Sequence, residues 1–111
     1  MSAPRILIIE DDPRSLFALQ SVLQSRGYDV TGFASAEEAH RHNHHPYHAA
    51  IIDVRLPGEQ GPAYAQRLHQ NHPDTRILFV TAYDAVPELR ALPGSVVLVK
   101  PIDVDLLTRL L

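Results

Sequence analysis

Cysteine is absent from the 111 residues, which excludes disulfides and thiolate metal sites and fits a reducing compartment. No apolar run comes near the roughly 18–20 residues that a membrane-spanning helix needs. Basic residues are not in excess. The formal net charge is −3, which leaves no electrostatic footprint for nucleic acid and no polybasic patch for a membrane surface. The opening Met-Ser-Ala-Pro-Arg runs straight into a strand-like segment, without the pattern of a secretory leader. The cytoplasm is the compartment that this combination fits. Internal repeats and linkers are also missing, and a histidine-rich stretch is the only biased segment. What remains, 45% apolar and 21% charged residues, is ordinary for one globular domain of this length. The chain therefore reads as a single domain, 1–111.

Apolar runs alternate with amphipathic ones along that domain. Arg5 to Ile9 reads as a strand, broken by Glu10-Asp11-Asp12-Pro13. Pro13 suits the first turn of a helix and Asp12 its N-cap. Leu16, Leu19, Val22 and Leu23 then recur at helical spacing up to Gly27. Tyr28 to Thr31 reads as a second strand. A helix from Ala36 to about Asn43 follows, with Ser35 and Glu38 spaced as a capping box. His48 to Asp53 is the third strand and Gly61 to about Asn71 a helix. Arg76 to Val80 is the fourth strand, ending at Thr81. A weak, short helix is predicted between Asp84 and Leu92, followed by a fifth strand from Ser95 to Val99 and a last helix capped by Asp103. That helix meets Leu111 without a capping signal, as expected of one cut short. Five such alternations imply a parallel sheet with helices on both faces, wound doubly by right-handed crossovers.

The polar residues at the strand ends carry the chemistry. In such sheets ligands bind beyond the carboxyl ends of the strands. Those ends supply Glu10 and Asp11, Asp53, Thr81 and Lys100. Clustered carboxylates stay ionised together only near a cation, and hard oxygen donors without His or Cys favour Mg²⁺. A carboxylate can act as a nucleophile and form an aspartyl phosphate. A metal ion and the Lys100 ammonium would neutralise charge on a transferred phosphoryl group, and the Thr81 hydroxyl could donate to one of its oxygens.

Four segments carry a resemblance: Ile-Leu-Ile-Ile-Glu-Asp-Asp (6–12), Ile-Ile-Asp-Val-Arg-Leu-Pro-Gly (51–58), Val-Thr-Ala (80–82) and Val-Lys-Pro (99–101). In this order and spacing the chain resembles the receiver domain of two-component response regulators over essentially its whole length. The resemblance implies a flavodoxin-like fold with strand order 2-1-3-4-5. It implies that Asp53 takes a phosphoryl group from a phosphohistidine of a histidine kinase or phosphotransfer domain, as one step of a phosphorelay. Asp11 and Asp53 would bind Mg²⁺ with the backbone carbonyl of Arg55, and Glu10 would help through water. Thr81 and Lys100 would contact the phosphoryl group, and the Lys100–Pro101 bond would be cis. The domain would be a signalling phosphoacceptor rather than an enzyme. It would assist its own phosphorylation and slow self-dephosphorylation, tuned by the flanking Arg55 and Tyr83, and switch partner interactions. A kinase or output domain would lie outside this chain.

Two features depart from the family pattern. The position three residues before the lysine, usually Tyr or Phe, is Val97, and the interval from Thr81 to Lys100 is short, with Pro87 and Pro93 inside it. Both bear on the output surface rather than on the phosphorylation site. A phosphohydrolase with an aspartate nucleophile would want a second aspartate where Arg55 stands, and a degenerate docking module would not keep the whole acidic set. His40, His42, His44, His45 and His48 could in principle ligate Zn²⁺ or Ni²⁺, but no carboxylate accompanies them and Pro46 breaks the segment. They read as a solvated helix end and loop.

Overall fold

In the computed structural model, which describes residues 3–42, 46–82 and 95–111, the strands are β1 (Arg5–Ile9), β2 (Asp29–Phe33), β3 (Ala49–Asp53), β4 (Arg76–Thr81) and β5 (Val96–Val99). They form one parallel sheet in the order β2-β1-β3-β4-β5. The helices are α1 (Pro13–Ser25), α2 (Ala36–Arg41), α3 (Gly61–Asn71) and α4 (Val104–Leu110). The short helix expected over Asp84–Leu92 lies outside the described residues.

Strands β1 and β3 read as unbroken apolar runs because both of their faces are covered. Leu7, Ile9, Ala50, Ile52 and Phe79 point to one side, packing with Ala36 and Ala39 of α2 and Tyr64, Ala65 and Leu68 of α3. Ile6, Ile8, Ala49, Ile51, Leu78 and Val80 point to the other, packing with Leu19 and Leu23 of α1 and Leu107 of α4. Burying each of the larger side chains contributes about 1.5–3 kcal/mol, so the two central strands anchor both layers at once. In these two central strands polar side chains stand only at the ends, because nothing in the middle could solvate them.

The predicted boundaries hold closely, with physical reasons for the shifts. Strand β2 runs on through Gly32 and Phe33 because Ile8 and Ile9 pair with them across the sheet. Strand β4 takes in Thr81, which pairs with Val99. Helix α1 starts as expected, with the Asp12 carboxylate accepting the Arg14 amide at 3.0 Å and the Ser15 hydroxyl at 3.2 Å. Ser35 accepts the Glu38 amide at 3.1 Å, and Asp103 accepts the amides of Asp105 and Leu106 at 3.0 and 3.2 Å. Val97 is half-buried against the α2/α3 side of the core. The Lys100–Pro101 peptide is cis.

Candidate functional site

In the order β2-β1-β3, the chain leaves β1 toward one edge of the sheet and comes back to place β3 on its other side. The crevice at the carboxyl ends of β1 and β3 is the switch point where such sheets bind ligands. Glu10 follows β1 and Asp53 ends β3, so the topology alone brings the two carboxylates together. With Asp11 they offer carboxylate oxygens that all lie within 4.8 Å of one another. The Asp12 carboxylate, adjacent in sequence, is engaged as the cap of α1, and its amide donates to Glu10 Oε1 at 3.2 Å. Lys100, just beyond β5, reaches in at the same carboxyl end from the β5 edge of the sheet. Its Nζ lies 3.0 Å from Asp53 Oδ2 and 3.1 Å from Glu10 Oε2.

Glu10 and Asp53 are both buried at 6% exposure, and this decides the electrostatics. Burial first, and then the neighbouring Asp53 carboxylate, push the Glu10 pKa up to about 7, against the opposing pull of Lys100. For Lys100, burial works against the charged form, but hydrogen bonds and charge from Asp53 and Glu10 outweigh it and raise the pKa. Among the described residues, Lys100 pairs with two of the three carboxylates, Glu10 and Asp53, and Asp11 stands exposed beside them.

A pH dependence follows for the metal-free domain. The folded-state pKa of Glu10, about 7, lies above the ordinary 4.5, so between these values the folded chain holds a proton that the unfolded chain has lost. Stability should therefore rise as pH falls through this window, with a slope of at most about 1.4 kcal/mol per pH unit. Thermal melts in chelator between about pH 8 and about pH 5 should show the slope in wild type and lose it in Glu10→Gln. Equal slopes in the two proteins would assign the titration elsewhere.

The remaining predicted residues lie around this centre in different ways. Thr81 is buried at the end of β4, where its hydroxyl donates to the Ala82 carbonyl at 3.0 Å. The Lys100 amide donates to the Thr81 carbonyl at 2.8 Å, which ties the two strand ends together. The Arg55 side chain is exposed, and its backbone amide donates to Asp53 Oδ1 at 3.2 Å. Tyr83 lies outside the described residues. A cleft of about 540 Å³ opens between α1 and α4, lined by Ala18, Val22, Ile102 and Val104, and ends at Glu10, Asp53 and Lys100.

Among the described residues, the cluster histidines have partners away from this centre or face solvent. His42 stacks on Phe33 with ring centroids 5.5 Å apart, His48 Nε2 lies 2.6 Å from the Leu111 carbonyl oxygen, and His40 is exposed. His44 and His45 lie outside the described residues.

Two residues that the sequence reading passed over hold the loop from Val54 to Gln60. Gln60 turns its side chain back into the loop, accepting the Leu56 amide at 3.3 Å and donating to the Leu56 carbonyl at 2.7 Å. Glu37, at the start of α2, accepts the Glu59 amide at 2.8 Å. A Gln ahead of a helix suggests no particular role, and a partner 22 positions away leaves no local signal.

Fold and site together define a doubly wound, flavodoxin-like domain with an acidic pocket at its switch point. The family model of the response regulator receiver domain matches residues 6–111, and the chain belongs to that family. It is 34% identical over 101 residues to the response regulator receiver protein CpdR of Brucella abortus, covering 87% of this chain and 84% of that one. It is 32% identical over 87 residues to the C4-dicarboxylate transport transcriptional regulatory protein DctD of Rhizobium meliloti, covering 78% of this chain but only 19% of the regulator. Among solved structures it resembles the response regulator TrrA of Thermotoga maritima in complex with Mg²⁺-BeF, at 27% identity and TM-score 0.80, covering 96% of this chain and 94% of that one. Receiver domains are the phosphoacceptors of two-component signalling and bind Mg²⁺ at an acidic cluster. Among the described residues, no helix is long and apolar enough to cross a membrane.

Proposed function

We propose that Asp53 is the residue that accepts the phosphoryl group, from a phosphohistidine on a histidine kinase or phosphotransfer domain. The observation that carries this reading is the ion pair of Lys100 with Asp53, 3.0 Å apart at the foot of an open cleft. An Asp53 carboxylate oxygen attacks phosphorus, the bond from phosphorus to the donor's imidazole nitrogen breaks, and the imidazole departs with the bonding electrons. Lys100 follows the charge onto the phosphoryl oxygens. Thr81 turns its hydroxyl from the Ala82 carbonyl to a phosphoryl oxygen.

The donor set among the described residues fits a magnesium ion: three carboxylates whose oxygens converge, all hard oxygen donors, beside the Lys100 ammonium. Asp11 and Asp53 would hold the ion with the Arg55 carbonyl, and Glu10 would act through water. When bound, the metal neutralises charge on the transferred group and leaves positions open for its oxygens. That the related TrrA is known in complex with Mg²⁺-BeF supports magnesium as the ion. Slow loss of the phosphoryl group to water at the same site, action in the cytoplasm, and a kinase or output domain outside the 111 residues complete the reading.

The test is direct. Incubation with acetyl phosphate and MgCl₂ should raise the intact mass by one phosphoryl group, and peptide mapping after borohydride trapping should locate it on Asp53. A label on another residue, or no label with Mg²⁺ bound, would overturn the assignment.

A further inference from the structure

The loop that follows Asp53 is held from outside as well as from within. Gly58 has φ +73°, a left-handed conformation that a side chain rarely adopts, and this turn presents the Glu59 amide to Glu37 Oε2 at 2.8 Å. The fit is close: a Cβ on Gly58 would collide with the Glu37 carboxylate. Glu59 is fixed in turn by an ion pair with Arg67 of α3. The Glu59 amide bond holds the exposed Glu37 carboxylate below its usual pKa, as expected when a backbone N–H binds the charged form. Helix α2 buries Ala36 and Ala39 in the core, and Glu37 ties it to this loop by a hydrogen bond. The same loop carries Arg55, whose amide already binds Asp53 Oδ1 at 3.2 Å.

We infer that Glu37 is a positioning residue for the magnesium site: by anchoring Gly58-Glu59 to α2, it preorganises the Val54–Gln60 loop. The inference rests on the reading of Asp53, Asp11 and the Arg55 carbonyl as the metal-binding set. A loop anchored before the ion arrives does not have to be ordered by it, so the anchor should raise metal affinity without touching the ion. It also couples α2 to the state of the site, because anything that moves the loop must strain or release this bond.

The experiment compares wild type, Glu37→Ala and Glu37→Gln. In the metal-free proteins, hydrogen exchange at the Glu59 amide should be about tenfold faster in Glu37→Ala, while exchange in the β1 and β3 amides stays unchanged. Titration with MgCl₂, followed through loop amide resonances, should give an apparent Kd about tenfold weaker in Glu37→Ala. Labelling by acetyl phosphate at saturating MgCl₂ should recover the wild-type rate. Glu37→Gln keeps an acceptor oxygen at the same reach and should bind Mg²⁺ nearly as wild type does. Unchanged Glu59 exchange and Kd in Glu37→Ala, or a Glu37→Gln as impaired as Glu37→Ala, would overturn the positioning role. Wild type that binds Mg²⁺ yet takes no phosphoryl group would instead overturn the phosphoacceptor reading, leaving the Mg²⁺ titrations to decide the role of Glu37 separately.

Discussion

Asp53→Asn is expected to reduce phosphoryl uptake to background while leaving the fold intact. The amide is neutral and a poor nucleophile, and it removes the central charge from the metal-binding set. Its shape is nearly that of the carboxylate, and its oxygen can still accept the Arg55 amide that now lies 3.2 Å from Asp53 Oδ1. The stability effect should be small and of opposite sign to the functional one. Asp53 is one of the causes that hold the Glu10 pKa at about 7, so its neutralisation should let Glu10 ionise at lower pH with Lys100 as its remaining partner. We expect the melting temperature of the metal-free variant at neutral pH to equal or exceed that of wild type. Mass spectrometry after acetyl phosphate treatment measures the first effect and a thermal melt in chelator the second. A variant that labels like wild type would move the acceptor elsewhere, and one that is unfolded would show that the Lys100–Asp53 pair supports the fold rather than the chemistry.

The asymmetry between what the sequence revealed and what it hid has a physical basis. Strands buried on both faces must be continuous apolar runs, so β1, β3 and β4 were legible, and the polar residues that ended them were conspicuous. Topology then did the rest: once the order of strands placed β1 beside β3, Glu10 and Asp53 had to meet. Chain order also separated Asp11 from Asp12, since a residue before Pro13 with a free carboxylate caps a helix better than it binds an ion. Pairing across the sheet was less legible. Gly32 has no strand preference of its own and is extended because Ile8 pairs with it. Least legible were the long-range polar contacts. The order of strand ends already puts Lys100, 90 residues from Glu10, at the same edge of the sheet, but only the fold gives their 3.1 Å ion pair, and Glu37 is one of two adjacent acids in the first turn of α2. Only the fold shows that one of them binds the loop after Asp53.

Gly61→Ala should be among the most damaging single substitutions in this domain, despite adding one methyl group. Gly61 is the first residue of α3, and its amide donates to the Val54 carbonyl at 3.0 Å, so the helix begins directly against the end of β3. A Cβ there would run into the carbonyl oxygen of Asp53 and come within 3.0 Å of Ile52 Cγ2. A flexible side chain could swing aside, but the Asp53 carbonyl belongs to the backbone of a central strand packed on both faces. Either α3 backs away from the sheet, opening space around Tyr64, Ala65 and Leu68, or the end of β3 is displaced. Overpacking of this kind costs about 3 kcal/mol, which for a domain of this size lowers the melting temperature by about 10 °C or more. The usual gain from replacing a helical glycine, about 1 kcal/mol, is too small to offset it. Because the obstruction is at Asp53 itself, the phosphorylation rate should also fall at temperatures where the variant remains folded. A Gly61→Ala protein with the wild-type melting temperature and labelling rate would mean that α3 can shift without disturbing β3, and that the close approach of Gly61 to Asp53 is not what sets the geometry of the site.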